Sequence, residues 1–149
     1  MRLSEQGAAV SGGYTDVWEI DFNDLTETAD DTAQTLTYGV QPGCIVEAVD
    51  VKVLENFDDS GGGDELNLDI GDGSDADGYV DNVVLHTDQS VASYYRGNGA
   101  YVDGEGQLYT SSDTIDAVFT PNISTGTSYS LAEMTAGKIR VLLKIRRLN

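Results

Sequence analysis

Residues 138–146 read KIRVLLKIR, a run in which apolar and basic side chains alternate. The apolar members are Ile139, Val141, Leu143 and Ile145. The basic members are Lys138, Arg140, Lys144 and Arg146. Because successive side chains of an extended strand point to opposite faces, the two sets would lie on opposite sides. The run therefore predicts a C-terminal β-strand with a buried apolar face and an exposed cationic face.

Similar alternation marks several other segments, which are separated by clusters of Gly, Asp and Ser. The clearest of these segments are residues 14–22, 45–54, 66–70 and 114–120. With 17 glycines and two prolines, the chain favours short strands joined by tight turns. We predict an all-β protein, an antiparallel β-sandwich or jelly roll, formed as a single domain by residues 14–149. Residues 1–13 are predicted to be a flexible N-terminal arm.

Strand pairing follows from the same turn signals. The tip at residues 58–64, with three consecutive glycines and three aspartates, stands between two alternating runs. This arrangement is typical of a long hairpin, so we expect residues 45–54 to pair with residues 66–70. We likewise expect the strand at residues 14–22 to have its partner in a strand that begins near Thr35.

Charge is distributed unevenly along the chain. The 26 acidic residues outnumber the eight Lys and Arg residues and give a net charge of −18. All the acidic residues lie at or before Glu133, whereas five of the eight basic residues lie within residues 138–147. Nucleic acid is therefore not an expected partner. Segregated charges can pair within the fold or between identical subunits, although a halophilic source would also explain the acidity.

Targeting signals are not evident in the sequence. The first residues lack the apolar core of a signal peptide, and no run approaches the ~20 apolar residues of a membrane helix. A single cysteine, Cys44, excludes an intrachain disulfide, and we expect it to be a small core residue. We therefore expect synthesis in a cytoplasm and no membrane partner.

Catalytic motifs are also not evident. The chain has one histidine, His86, and no G-x-S-x-G elbow, and the residues around Gly137-Lys138 do not complete a P-loop. A lone histidine in a polar hairpin is more typical of the surface than of a catalytic base. We expect neither enzymatic activity nor a cofactor.

Two groups of residues remain as candidate binding sites. Asp69, Asp72, Asp75 and Asp77 could supply oxygen ligands to Ca²⁺, but they do not match an EF-hand, and a solvated acidic turn is the favoured interpretation. Four tyrosines could stack on a sugar, whereas packing or a subunit interface explains them as well and is favoured. These are Tyr94, Tyr95, Tyr101 and Tyr109.

A set of short motifs carries a more specific resemblance. They are QPGCIV at residues 41–46, the strand at residues 51–57, LDIGDG at residues 68–73 and TAGKIRV at residues 135–141. In this order the chain resembles the small virion proteins that tailed bacteriophages encode near the major capsid protein, including capsid decoration (cement) proteins. The resemblance implies a β-rich, often jelly-roll, protein without catalytic residues. It also implies trimers at the three-fold and quasi-three-fold positions of the shell, where they clamp neighbouring capsid subunits.

The resemblance and the charge pattern together predict a function. We expect a non-enzymatic decoration protein on the capsid surface of a virion, with the major capsid protein and itself, as a homotrimer, as partners. The residues predicted to contact acidic surface on a neighbour are Lys138, Arg140, Lys144 and Arg146. Pairing of these cations with acids of their own chain remains open. The alternatives are a carbohydrate- or receptor-binding β-sandwich module, or a tail or connector subunit.

Overall fold

Two antiparallel β-sheets packed face to face form the structure, a computed structural model that describes residues 13–148. The prediction of an all-β antiparallel sandwich is confirmed. The predicted arm falls mostly on residues 1–12, which lie outside the described residues, so it stays a prediction. Within the described chain, no helix has the length and apolar character needed to cross a membrane.

Within residues 13–148, nine strands make up the two sheets. They are β1 (Asp16–Asp21), β2 (Gln34–Val40), β3 (Cys44–Asp59), β4 (Glu65–Gly71), β5 (Val80–Val84), β6 (Tyr94–Tyr95), β7 (Gln107–Tyr109), β8 (Asp113–Asn122) and β9 (Met134–Arg147). Three short 3₁₀ turns, at Phe22–Asp24, Ala100–Val102 and Leu131–Glu133, lie between strands. Sheet A has the order β1-β9-β3-β6, with β7 also paired to β3, and sheet B has the order β2-β8-β4-β5.

The pairing predicted for two segments is wrong. Strands β3 and β4 belong to different sheets, so they form no hairpin, and β1 pairs with β9 while β2 pairs with β8. Among the described strands, β4 and β5 are the single consecutive pair that hydrogen-bond to each other. A glycine-rich tip shows that the chain turns, but it does not show whether the chain returns to the same sheet.

Side-chain carboxylates shape the crossing between β3 and β4. The Asp59 Oδ2 atom accepts hydrogen bonds from the backbone N–H groups of Gly61 and Gly63, at 2.8 and 3.1 Å. The Asp64 carboxylate accepts from the backbone N–H groups of residues 124–126, so it ties this crossing to the loop after β8. Asp59 and Asp64 therefore organise the turns of this crossing rather than standing as solvated side chains.

The core lies between the sheets, and it is built from the alternating positions of the long strands. Sheet A contributes Val49, Val51, Ile139, Val141, Leu143 and Ile145. Sheet B contributes Leu66, Leu68, Ile70, Ile115, Ala117 and Phe119. Each fully buried Val, Leu, Ile or Phe side chain stabilises a fold by about 1.5–3 kcal/mol relative to exposure. The predicted apolar face of the C-terminal strand is thus the inner face of sheet A.

Strands β3 and β9 are joined by a ladder that is interrupted near Gly137. The register shifts between Val53 and Glu55 and again between Glu55 and Asp58. Gly137 has a φ of 135°, and a Cβ at this position would lie 2.2 Å from a ring carbon of the fully buried Phe57. The missing side chain at Gly137 therefore leaves the space that the Phe57 ring occupies.

Replacing Gly137 with alanine should be strongly destabilising, because the new methyl group would overlap the Phe57 ring and the backbone there favours glycine. We expect the Gly137→Ala variant to lose about 2 kcal/mol or more of its free energy of unfolding in urea denaturation. Gly39→Ala is the matched control, since no atom lies within 4 Å of a Cβ at Gly39. Its stability should stay within about 0.5 kcal/mol of the parent. Equal losses in the two variants would contradict this account.

Candidate interaction surface

The outer face of sheet A carries the predicted row of basic side chains. Strand β9 presents them next to two glutamates, one on β1 and one on β3, and each glutamate contacts two cations. The Glu19 carboxylate lies 3.2 Å from Lys138 Nζ and 3.0 Å from Arg140 Nε. The Glu47 carboxylate lies 3.8 Å from Lys144 Nζ and 2.8 Å from Arg146 Nε. The row therefore consists of two clusters, and in each cluster two cations contact one glutamate carboxylate.

Electrostatic effects at these clusters are modest. The hydrogen bond from Arg140, with the nearby Lys138, lowers the pKa of the Glu19 carboxyl below its usual value. The hydrogen bond from Arg146 does the same for the pKa of Glu47. All four cations remain 40–53% exposed, and ion pairs in water add little to stability. The structure shows the ion pairs that these cations form within their own chain. Their contact with a neighbouring protein stays a prediction.

Exposed apolar side chains concentrate on the same sheet. Leu54 on β3, Tyr94 on β6, Leu108 on β7 and Leu148 just after β9 are 40, 43, 49 and 45% exposed. They are four of the five large hydrophobic side chains that are exposed in the described residues. Leu108 is paired in register with Ile45, and the Leu148 backbone N–H donates to the Gly43 carbonyl oxygen at 2.7 Å. The outer face of sheet A thus combines ion pairs with exposed leucine and tyrosine.

The outer face of sheet B has a different chemistry. None of the described strands of sheet B contains Lys or Arg. The side chains outside its core positions are mainly threonine, asparagine and acidic residues. Examples are Thr35, Thr37, Asn67, Asp69, Asp116 and Thr120. The two faces of the sandwich therefore differ in charge, and all three lysines of the chain, at positions 52, 138 and 144, belong to strands of sheet A.

Tyr94 is held on the face of sheet A by a carboxylate. Its hydroxyl donates to Asp50 Oδ2 at 2.7 Å, the Tyr14 hydroxyl donates to the same oxygen, and the Gly97 N–H donates to Asp50 Oδ1 at 2.7 Å. Burial and the hydrogen bonds to Asp50 and Tyr94 raise the pKa of the Tyr14 hydroxyl. The Tyr94 ring is therefore an exposed aromatic group with a fixed orientation.

Other tyrosines that were candidates for stacking on a sugar belong to an internal network. Tyr109 is buried and donates to Asp72 Oδ2 at 2.8 Å, and the hydroxyls of Tyr79 and Tyr109 are 2.6 Å apart. Tyr101 donates to Asp72 Oδ1 at 3.0 Å, and its ring packs edge-on against the Tyr79 ring. Burial, followed by the hydrogen bond to Asp72, raises the pKa of Tyr101 to about 12. These rings are therefore engaged in packing.

The four candidate calcium ligands have other roles in the described residues. Asp72 is buried, and its carboxylate accepts four hydrogen bonds, two from tyrosine hydroxyls and two from the backbone N–H groups of Ser74 and Asp75. Asp69 Oδ1 accepts from the Asn82 N–H, and a hydrogen bond to Asp77 raises the pKa of Asp75. Three of these hydrogen bonds reach Oδ1 and one reaches Oδ2, so the Asp72 carboxylate serves the packing of this turn and of the tyrosines.

The position of His86 differs from the prediction. Sequence pattern placed this residue at the surface, but its side chain is fully buried between β3 and the 129–130 region, with its ring centroid 6.1 Å from that of Tyr129. The polar residues around His86 are typical of an exposed loop, which is why the prediction was wrong. An isolated β-bridge between Phe57 and His86 holds this loop against β3. His86 Nε2 lies 2.7 Å from Asp59 Oδ1, and the Asp88 N–H donates to Nδ1 at 3.2 Å.

Those contacts determine what the His86 site can do. Asp58, Asp59 and His86 form a group of three described residues whose ligand atoms lie within 4.8 Å of one another. However, Nδ1 accepts a hydrogen bond, so the ring proton is assigned to Nε2, where it is donated to Asp59. Nε2 then has no lone pair for a metal ion. The group is best described as a buried hydrogen-bonded pair that supports the crossing between the sheets.

Comparison with known proteins gave few matches. No family model matches the chain, and no curated protein matches it. Among solved structures, it is similar to a chain of a cyanophage Pam1 capsid asymmetric unit. The two share 20% sequence identity with a TM-score of 0.49, and the alignment covers 96% of this chain and 92% of that chain.

Changing the buried carboxylate of Asp72 to an amide should destabilise the fold. Burial alone would raise the pKa of Asp72, but the hydrogen bonds from Tyr109, the backbone and Tyr101 hold that pKa below its usual value. In the Asp72→Asn variant the new NH₂ group would face donors and leave buried groups unpaired, so the variant should lose about 1–3 kcal/mol of unfolding free energy at pH 7. The pKa of Asp72 is lower in the folded protein than in the unfolded chain. Its ionised carboxylate therefore contributes its full stabilisation of the fold at any pH above the unfolded pKa of about 3.9.

This loss should therefore shrink as the pH falls through the lower pKa of folded Asp72, and urea denaturation from pH 7 to pH 3 would measure it. Asp77→Asn is the matched control, because Asp77 lies in the same turn and is exposed. Its stability should stay within about 0.5 kcal/mol of the parent. A loss for Asp72→Asn that is the same at pH 7 and pH 3 would contradict the account.

Proposed function

We propose that this protein is a non-enzymatic virion structural protein of a tailed bacteriophage, a capsid decoration (cement) protein that binds the outer face of the major capsid shell. The difference between the two faces of the sandwich supports this function together with the sequence resemblance, because basic and exposed apolar side chains gather on sheet A while sheet B is acidic and rich in threonine. Sheet A is the proposed docking face.

Electrostatics favour docking through this face. A protein of net charge −18 is repelled by most acidic surfaces. The outer face of sheet A is much less acidic than the protein as a whole. Five cations, Lys52, Lys138, Arg140, Lys144 and Arg146, lie there beside the carboxylates of Glu19, Asp21, Glu47 and Asp50. A second copy or a shell could therefore approach this side at the lowest electrostatic cost, with the acidic face of sheet B directed to solvent.

Composition favours the same face. Tyrosine and arginine are enriched in protein interfaces, and the buried centre of an interface is more apolar than the rest of the surface. Here Tyr94, Leu54 and Leu108 are exposed on the same sheet as Arg140 and Arg146. The Tyr94 ring is already oriented by Asp50, so docking would cost little conformational entropy for that side chain.

Binding would involve an exchange of ion pairs. In the isolated protein, Glu19 and Glu47 each neutralise part of two cations. Exposed ion pairs are weak, so carboxylates of a partner can replace these glutamates without a large loss. A protein that binds only the assembled shell then stabilises it by RT ln(1 + [L]/Kd), and a trimer on a three-fold position would repeat each contact three times.

A glycan-binding role is the second candidate, and one observation favours it. The Tyr94 ring is 43% exposed, and the buried Asp50 carboxylate fixes its hydroxyl, so the ring is an oriented aromatic platform on which a sugar could stack. Loss of binding on a glycan array by Tyr94→Ala, with shell binding unchanged, would favour this candidate over decoration.

The test is co-sedimentation with expanded phage shells. Wild-type protein should form a trimer in solution and sediment with the shells at a fixed ratio per three-fold site. The variant with Lys138→Gln, Arg140→Gln, Lys144→Gln and Arg146→Gln should keep its fold and lose most of its shell binding, since its partner's carboxylates would lack counter-charges. The matched control, Glu19→Gln with Glu47→Gln, should bind as well as wild type or more tightly, because its four cations are released from intrachain pairs.

Several outcomes would contradict the proposal. A folded four-glutamine variant that still forms trimers and sediments at the wild-type ratio would remove the docking role of the β9 cations. Equal loss in both charge variants would indicate that the ion pairs serve stability alone. A hexamer that ignores the shells would favour a tail or connector role.

A further inference from the structure

One side of the sandwich is open at the edges of both sheets. Strand β1 is an edge of sheet A, and β2 is an edge of sheet B. Each has a strand partner on one side only among the described residues. The backbone groups along the other side of β2 can therefore accept an additional strand.

Strand β2 lacks the features that usually protect an edge. Its sequence, QTLTYGV at residues 34–40, contains no charged residue and no proline. Its register with β8 is continuous over seven residue pairs without a bulge. The other described edge strands have features that hinder the addition of a strand. Strand β1 carries Asp16, Glu19 and Asp21, and β5 contains the positive-φ residue Asn82. Strands β6 and β7 are short, with two and three residues.

A groove runs beside this unprotected edge. Its volume is about 390 Å³, and it lies between β1 and β2. The lining residues are Trp18, Glu19, Ile20, Asp24, Thr35, Leu36 and Thr37. The Trp18 and Tyr38 rings pack at a centroid distance of 5.6 Å, and the Tyr38 hydroxyl donates to Asp16 Oδ2 at 2.6 Å. An incoming strand could thus place an apolar side chain against Trp18 and Leu36.

Charge indicates which kind of strand the groove fits. Residues 14–43 include both edge strands and the connection between them, and they contain seven acidic residues and no Lys, Arg or His. Three cations of β9 approach this side, because Lys138 and Arg140 pair with Glu19 and Arg147 lies 3.4 Å from Asp16. The seven carboxylates outnumber these three cations, so this side of the protein is acidic, which disfavours pairing with a second acidic copy and favours a basic segment.

We propose that the β2 edge and the adjacent groove form a strand-addition site for an extended, lysine- or arginine-flanked segment of a partner protein. The segment's backbone would pair with β2, an alternate apolar side chain would enter the groove, and its flanking cations would meet the acidic residues of the β1–β2 side. The site shares Glu19 with the outer face of sheet A, but the β2 edge itself belongs to sheet B, and the site does not depend on capsid binding.

Trp18 makes the site directly testable, because it is the single tryptophan of the chain and lines the groove. The probe is a capped peptide of alternating valine and threonine with a lysine at each end. Its titration should give a saturable change in tryptophan fluorescence, together with amide NMR shifts along β2, and both should weaken with added salt. A peptide with the same lysines and prolines at alternate positions should give no saturable change, since it cannot pair as a strand.

A pair of matched variants tests the location. Thr37→Lys places a charge on the edge strand and should abolish the response, whereas Thr120→Lys adds the same charge on the central strand β8 and should retain it. Absence of saturation up to millimolar valine–threonine peptide would overturn the proposal. Equal binding of the proline peptide, or an undiminished response in Thr37→Lys, would overturn it as well.

Discussion

The pairing of β3 with β9 is the constraint on which the rest of the structure depends. These strands have 16 and 14 residues and are the longest in the chain, and they form the centre of sheet A. Their inward side chains supply 11 of the 27 buried hydrophobic residues in the described chain, while the same alternation places lysine and arginine on the outside. One period-two pattern therefore determines both the stability of the sandwich and the chemistry of its proposed docking face.

Local sequence patterns predicted the strands well, but not their partners. Alternation in residues 45–54 and 138–146 identified β3 and β9, and the buried position of Cys44 agrees with its expected place in the core. Pairing depends on contacts between distant residues, such as Trp18 with Val141, which no local window contains. The crossing after Asp59 looked like a hairpin because both kinds of turn use glycine and aspartate.

Candidate sites show the same limit. The sequence placed four cations on one face of β9, but it could not indicate that Glu19 and Glu47, more than ninety residues earlier, would lie between them. Asp72 looked like a solvated turn residue, and its burial depends on tyrosines 29 and 37 residues later in the chain. The groove beside β2 is formed by two strands from different sheets, so no sequence motif marks it.

The three lysines allow the most direct measurement of the central claim, that the outer face of sheet A is the docking face. All three lie on β3 or β9, so amine labelling followed by mass spectrometry reports on this face alone within the described residues. If shells bind there, Lys52, Lys138 and Lys144 should be labelled much more slowly in sedimented complexes than in the isolated protein. Unchanged labelling of all three lysines in protein that has sedimented with the shells would contradict the account.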